Sequence, residues 1–115
     1  MHIEGKGKVL KIFIGESDHW HGKPLYAAIV ERARAEGMAG ATVTRGIMGY
    51  GKNSRIHTSA ILRLSEDLPI VIEIVDTIER INAFLPLLDE MIDEGLVETL
   101  DVTIERYVHP NDKQA

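Results

Sequence analysis

The sequence predicts an α+β protein with a ferredoxin-like (βαββαβ) sandwich, in which two helices cover one face of a mainly antiparallel sheet. Segments with strand-like and helix-like apolar periodicity follow each other in the order strand, helix, strand, strand pair, helix, strand. Each helical segment carries a single apolar stripe, so both helices can pack on the same side of a sheet. These two observations together favour the split βαβ plan.

The first half of the chain supplies a strand, a helix and a second strand. Residues 9–14 (VLKIFI) form a short, β-branched apolar run that begins after Gly5 and Gly7 and is typical of a strand. A helix is predicted to begin at Pro24 and to end at Gly37, because proline suits a first helical turn and glycine suits a helix end. The second strand, residues 41–47, runs into a glycine-rich loop at 46–52.

The second half begins with two β-like segments within residues 56–75, separated by a turn at 65–67. Asp76 is predicted to cap the second helix, with Glu79 completing a capping box. Apolar residues then recur at spacings of three and four. Pro86 lies inside this stripe, and we expect a kink or a restarted helix there because proline lacks the backbone N–H.

The last strand is predicted at residues 100–108, where apolar and polar residues alternate. Its inward-facing residues are predicted to be Leu100, Val102 and Ile104. The length of 115 residues suits one domain spanning 1–115. Residues 110–115 are polar and are expected to form a frayed tail.

Composition excludes several classes of function. Thirteen Lys and Arg against eighteen Asp and Glu give a net charge of -5, which opposes nonspecific attraction to nucleic acid. The absence of cysteine excludes disulfides, thiolate metal sites and a cysteine nucleophile. No apolar stretch approaches the roughly 20 residues that span a bilayer, and no signal-peptide core is visible. We therefore expect a cytoplasmic protein.

The glycine-rich loop is the most informative segment for function. Gly46, Gly49 and Gly51 allow the backbone to approach a ligand closely, and a nearby cluster of basic residues suits an anion. The basic residues are Arg45, Lys52 and Arg55. The alternative is that the glycines only shape a hairpin turn and the charges only keep the loop solvated. The spacing matches neither a Walker loop nor a dinucleotide fingerprint.

Histidines offer a rival interpretation as a metal-binding protein or a histidine-dependent enzyme. His19 and His21 lie two residues apart beside Asp18, and imidazole and carboxylate groups bind Zn, Ni or Cu. His57 could act as a general acid or base. The alternative is an exposed polar loop, and no serine stands in the GxSxG pattern of a hydrolase. We therefore expect no catalytic residues.

Several motifs carry a resemblance to a known family. They are residues 24–26 (PLY), 37–46 (GMAGATVTRG), 49–51 (GYG), 57–58 (HT) and 68–76 (LPIVIEIVD). In this combination the chain resembles the uncharacterised, PII-like DUF190 family of bacteria and archaea. More distantly it is similar to the PII nitrogen-regulatory signalling proteins.

The resemblance implies a homotrimeric regulator with ligand clefts between subunits and a mobile loop over residues 49–56. It implies an adenine nucleotide as the small anionic ligand, and a membrane transporter or channel such as a fluoride exporter as the partner. Trimer formation also agrees with a sheet face left uncovered at Val71 and Val75. The predicted ligand-binding residues are Arg45, Gly46, Gly49, Tyr50, Gly51, Lys52, Arg55, His57 and Arg106.

Overall fold

The computed structural model describes residues 2–50, 57–58 and 67–110, and at 57–58 the backbone only. The strands are β1 (His2–Gly15), β2 (His19–Trp20), β3 (Lys23–Pro24), β4 (Thr42–Arg45), β5 (Met48–Gly49), β6 (His57–Thr58), β7 (Pro69–Thr77) and β8 (Leu96–Val108). The helices are α1 (Leu25–Ala35) and α2 (Ile78–Met91). The predicted mobile loop spans residues 49–56, of which residues 51–56 lie outside the described residues.

A four-stranded sheet in the order β4-β7-β1-β8 forms the centre of the fold. Every neighbouring pair in it is antiparallel. The connection from β1 through α1 to β4 skips over β7, and the connection from β7 through α2 to β8 skips over β1. This is the ferredoxin-like arrangement, so the predicted fold class is confirmed.

The core lies between the sheet and the two helices. Alternate residues of the central strands face the helices and are fully or almost fully buried, as the period of two in a strand requires. They form the cross-strand pairs Leu10 with Ile74, Ile12 with Ile72, and Ile14 with Ile70. The helices cover them with Leu25, Ala28, Ile29, Ala33, Ile81, Phe84, Leu88 and Met91. Among the described residues no helix is long and apolar enough to cross a membrane.

The opposite side of the sheet has no helix on it, and we call it the open face. Its apolar residues are Val9, Phe13, Val71, Val75, Leu96, Leu100, Val102 and Ile104. The prediction that Leu100, Val102 and Ile104 face inward is wrong. Leu100 pairs with Val9, and paired residues point to the same side of a sheet, so this set lies on the open face. The alternation showed which residues share a face but not which face the helices cover.

Strand β1 is longer than the sequence predicts, because Gly7 is part of the strand and not a boundary. A Cβ at Gly7 would lie 2.4 Å from Ile104 Cδ1 and 2.8 Å from the Asp76 carbonyl oxygen. The glycine therefore permits a close approach of three chain segments within the sheet.

The start of helix α2 also differs from the prediction. Thr77 is the N-cap, and its hydroxyl accepts a hydrogen bond from the Arg80 N–H at 3.2 Å. Asp76 is fully buried, and its carboxylate accepts from the N–H groups of Thr77 at 2.6 Å and Ala39 at 2.8 Å. The helix is not restarted at Pro86 but runs through it to its end.

Candidate functional site

A cavity of about 500 Å³ lies at one end of the sheet. Strand β1 ends there, while β7 and β8 begin there and the chain leaves β4. Its apolar wall consists of Phe13, Ile14, Met48, Tyr50, Pro69 and Val71. The volume falls within the range of about 300–1,000 Å³ that is usual for small-molecule sites. This pocket is the candidate site.

Three of the predicted site residues line the pocket: Gly46, Gly49 and Tyr50. The Gly46 N–H donates to the Pro69 carbonyl at 2.7 Å, which holds the segment after β4 against the start of β7. Gly49 pairs through its backbone with His57. The backbone of this segment is therefore anchored at both ends of its short β5 strand. The predicted site residues Gly51, Lys52 and Arg55 lie outside the described residues.

The structure does not bring Arg45 or Arg106 to the pocket within one chain. Arg45 is not among the lining residues, and its Nη1 donates to Glu16 Oε2 at 2.9 Å. Arg106 lies in the part of β8 that pairs with the beginning of β1, whereas the pocket lies at the end of β1. At about 3.3 Å per residue, it stands roughly 33 Å along the strand from the pocket end of β8.

Carboxylates line the pocket where sequence reasoning expected basic groups. Asp18 accepts a hydrogen bond from the Gly15 N–H at 3.0 Å. Asp67 accepts from the N–H and the hydroxyl of Ser17, at 3.2 and 2.8 Å. The third lining carboxylate is Glu94. The antiparallel pairing that the predicted fold requires was the one sequence feature that could have revealed them. It places the end of β1 beside the start of β7, and so brings Asp18 and Asp67 close together.

The turn that carries Glu94 is packed tightly against β1. Gly95 has a φ of +155°, and a Cβ there would lie 2.8 Å from the carbonyl oxygen of Phe13. Any other residue at this position would collide with the β1 backbone. Glycine therefore allows the turn before β8 to lie close to β1 at the edge of the pocket.

The two neighbouring histidines form part of a small hairpin. The Nδ1 of His19 lies 2.6 Å from the carbonyl oxygen of Ser17, so this ring nitrogen already has a hydrogen-bond partner. The ring of His21 stacks on Trp20 with centroids 3.8 Å apart. Over the described residues, no group of three or more His, Asp or Glu side chains could hold a metal ion. The side chain of His57 is not described.

Comparison with known sequences gives a family match over most of the chain. A model of the DUF190 family, described as an uncharacterized ACR, COG1993, matches residues 7–104. A UPF0166 protein of Aquifex aeolicus (strain VF5) is 40% identical over 99 residues, which cover 86% of this chain and 93% of that protein. The predicted resemblance is confirmed.

Comparison with solved structures supports the fold. CPII of Thiomonas intermedia K12, a nitrogen regulatory PII-like protein bound to ADP, AMP and bicarbonate, superposes with a TM-score of 0.58 at 16% identity. The match covers 96% of this chain and 94% of CPII. CutA of Synechococcus elongatus PCC7942 gives a TM-score of 0.58 at 16% identity over 93% and 85% of the two chains. At these identities the likeness establishes the PII-like fold alone.

Proposed function

We propose that this chain, which belongs to the DUF190 family, is a PII-like regulatory protein that binds a small anionic effector, with an adenine nucleotide as the first candidate. The proposal depends chiefly on one observation. Gly49 and Tyr50, two of the positions singled out by the PII resemblance, line a pocket of ligand size at the end of the sheet. That a PII-like protein of similar fold binds ADP and AMP adds support.

The pocket walls suit a flat aromatic base. Tyr50 is 72% exposed, so its ring is free to stack on a ligand, and Phe13 and Val71 add apolar surface beside it. Stacking of a nucleobase on an aromatic side chain contributes about 1–3 kcal/mol.

The anionic part of the effector needs positive charge, which we assign to Arg45, Lys52 and Arg55. Arg45 is paired with Glu16 in the structure, so it would exchange that partner for the ligand. Breaking this ion pair should cost little, because the Arg45 side chain is 57% exposed and an ion pair in contact with solvent contributes about 0–1 kcal/mol. A charge-assisted hydrogen bond to a ligand phosphate would be stronger than the pair it replaces.

We assign the open face to contacts between subunits of a homotrimer. Val75, Leu96 and Leu100 expose large apolar side chains on this face. Phe13 and Val71 belong both to the open face and to the pocket, so a neighbouring copy would border the ligand. A second copy would also be needed to bring Arg106 near the site. The loop after β4 is then available to a partner, for which a membrane transporter remains our prediction.

Calorimetric titration of AMP, ADP and ATP into the protein tests the ligand assignment. Tyr50→Ala should lower the affinity about fivefold to 150-fold, the effect of losing one stacking contact of about 1–3 kcal/mol. Ile47→Ala is the matched control, because Ile47 is 77% exposed on the same segment and does not line the pocket. Equal losses in both variants, or no binding of any nucleotide, would contradict the proposal.

A further inference from the structure

We propose that Glu94 sets the charge selectivity of the pocket, so that a nucleoside monophosphate is favoured over the corresponding triphosphate. This inference rests on the proposed function and adds the ligand class to it. The observation behind it is that the described walls of the pocket carry three carboxylates and no lysine or arginine.

The three carboxylates differ in whether they accept hydrogen bonds from the protein. Asp18 and Asp67 already accept hydrogen bonds from backbone or serine donors, so they stabilise the two loops that frame the pocket. Glu94 makes no hydrogen bond or ion pair with any described residue, and it is exposed. Its negative charge therefore acts on whatever occupies the pocket.

The position of Glu94 is fixed by its neighbour. Gly95 allows the turn to lie close to the Phe13 carbonyl, and the pairing of the next residue, Leu96, with Phe13 connects the turn to the end of β1. Asp93 belongs to the same turn and is exposed as well, but it does not line the pocket. The turn thus offers two adjacent carboxylates of which only one faces the ligand.

The expected size of the effect follows from Coulomb's law. In water, one charge at roughly 8 Å from another of the same sign lowers affinity about twofold per unit of ligand charge. Two further phosphates add about two negative charges, so Glu94 should weaken ATP relative to AMP about fourfold at low ionic strength. A carboxylate accepts hydrogen bonds well, so the amino and hydroxyl groups of a nucleoside are not penalised.

The experiment is a titration of adenosine, AMP, ADP and ATP into wild type, Glu94→Gln and Asp93→Asn at low ionic strength. Glu94→Gln should tighten ATP about fourfold relative to AMP and leave adenosine unchanged. Glu94→Lys should extend the same trend. Asp93→Asn removes one charge from the same turn, and it should leave the order of affinities as in wild type.

The outcomes separate this inference from the function on which it rests. Nucleosides and nucleotides that bind, but with the same relative affinities in Glu94→Gln as in wild type, overturn the inference alone. Equal shifts in Asp93→Asn and Glu94→Gln also overturn it, because they would show a general charge effect. A protein that binds none of the four ligands, in wild type and in both Glu94 variants, overturns the proposed function and the inference together.

Discussion

Replacing the buried Asp76 tests how much its two hydrogen bonds to backbone N–H groups stabilise the fold. One carboxylate oxygen accepts from the Thr77 N–H at 2.6 Å, and the other accepts from the Ala39 N–H at 2.8 Å. Each hydrogen bond to a charged group contributes about 1.5–3 kcal/mol. Asp76→Ala removes both, and because Ala39 is half-buried and within reach of water, we expect a loss near the lower limit, about 3 kcal/mol.

Asp76→Asn should cost about half as much. A carboxamide offers one acceptor oxygen, so it can satisfy one of the two N–H groups but turns a donor toward the other. The control is Asp101→Ala. Asp76 in β7 and Asp101 in β8 both stand opposite Lys8 of β1 in the strand register, but the Asp101 side chain is exposed. Its removal should change the free energy of unfolding by less than about 0.5 kcal/mol.

Urea denaturation at a single protein concentration measures these differences, since an oligomer's stability depends on concentration. The midpoint should fall in the order wild type and Asp101→Ala, then Asp76→Asn, then Asp76→Ala, with the slope unchanged. A loss for Asp76→Ala below about 1 kcal/mol, or equal to that of Asp101→Ala, would refute the assignment of Asp76 as a buried anchor.

Two further predictions follow from the open face and from the turn before β8. Light scattering should give a particle mass three times the chain mass of 12.8 kDa. Leu100→Lys should reduce that mass, because Leu100 is 45% exposed on the open face. A wild-type monomer at micromolar concentration would contradict the trimer. Gly95→Ala should destabilise the protein by about 1–3 kcal/mol, because the new Cβ would meet the Phe13 carbonyl. Gly40→Ala, where nothing lies within 4 Å, should not, and equal thermal shifts for the two would count against the tight turn.

The periodicity of the sequence predicted the order and type of the main elements because it records burial directly. Periodicity does not show which segments that are distant in sequence come into contact. Gly7 resembled a strand boundary because glycine is usual in turns, yet it is required where Ile104 crosses β1. Asp76 resembled a helix cap because its side chain does accept a nearby N–H, but its second partner, Ala39, is remote in sequence.

The residues of the candidate site also differ in whether the sequence could predict them. Gly46, Gly49 and Tyr50 belong to one short segment, in which the glycine pattern and the family resemblance predicted them, and all three line the pocket. The lining carboxylates Asp67 and Glu94 come from separate turns, which meet only after β1, β7 and β8 have paired. Arg45 was expected to face a ligand, and no sequence pattern could show that Glu16 already holds it.

The strand order has a consequence for how the chain folds during synthesis. Strand β1 comes before α1 in the chain, but its hydrogen-bonding neighbours are β7 and β8, which come after α1 and β4. Both edges of this apolar strand therefore stay unpaired until the distant strands β7 and β8 have been synthesised. Such non-local pairing slows folding, and a nascent chain halted after α2 would expose the β1 edge that β8 normally covers. We expect chains interrupted there to aggregate or to recruit chaperones.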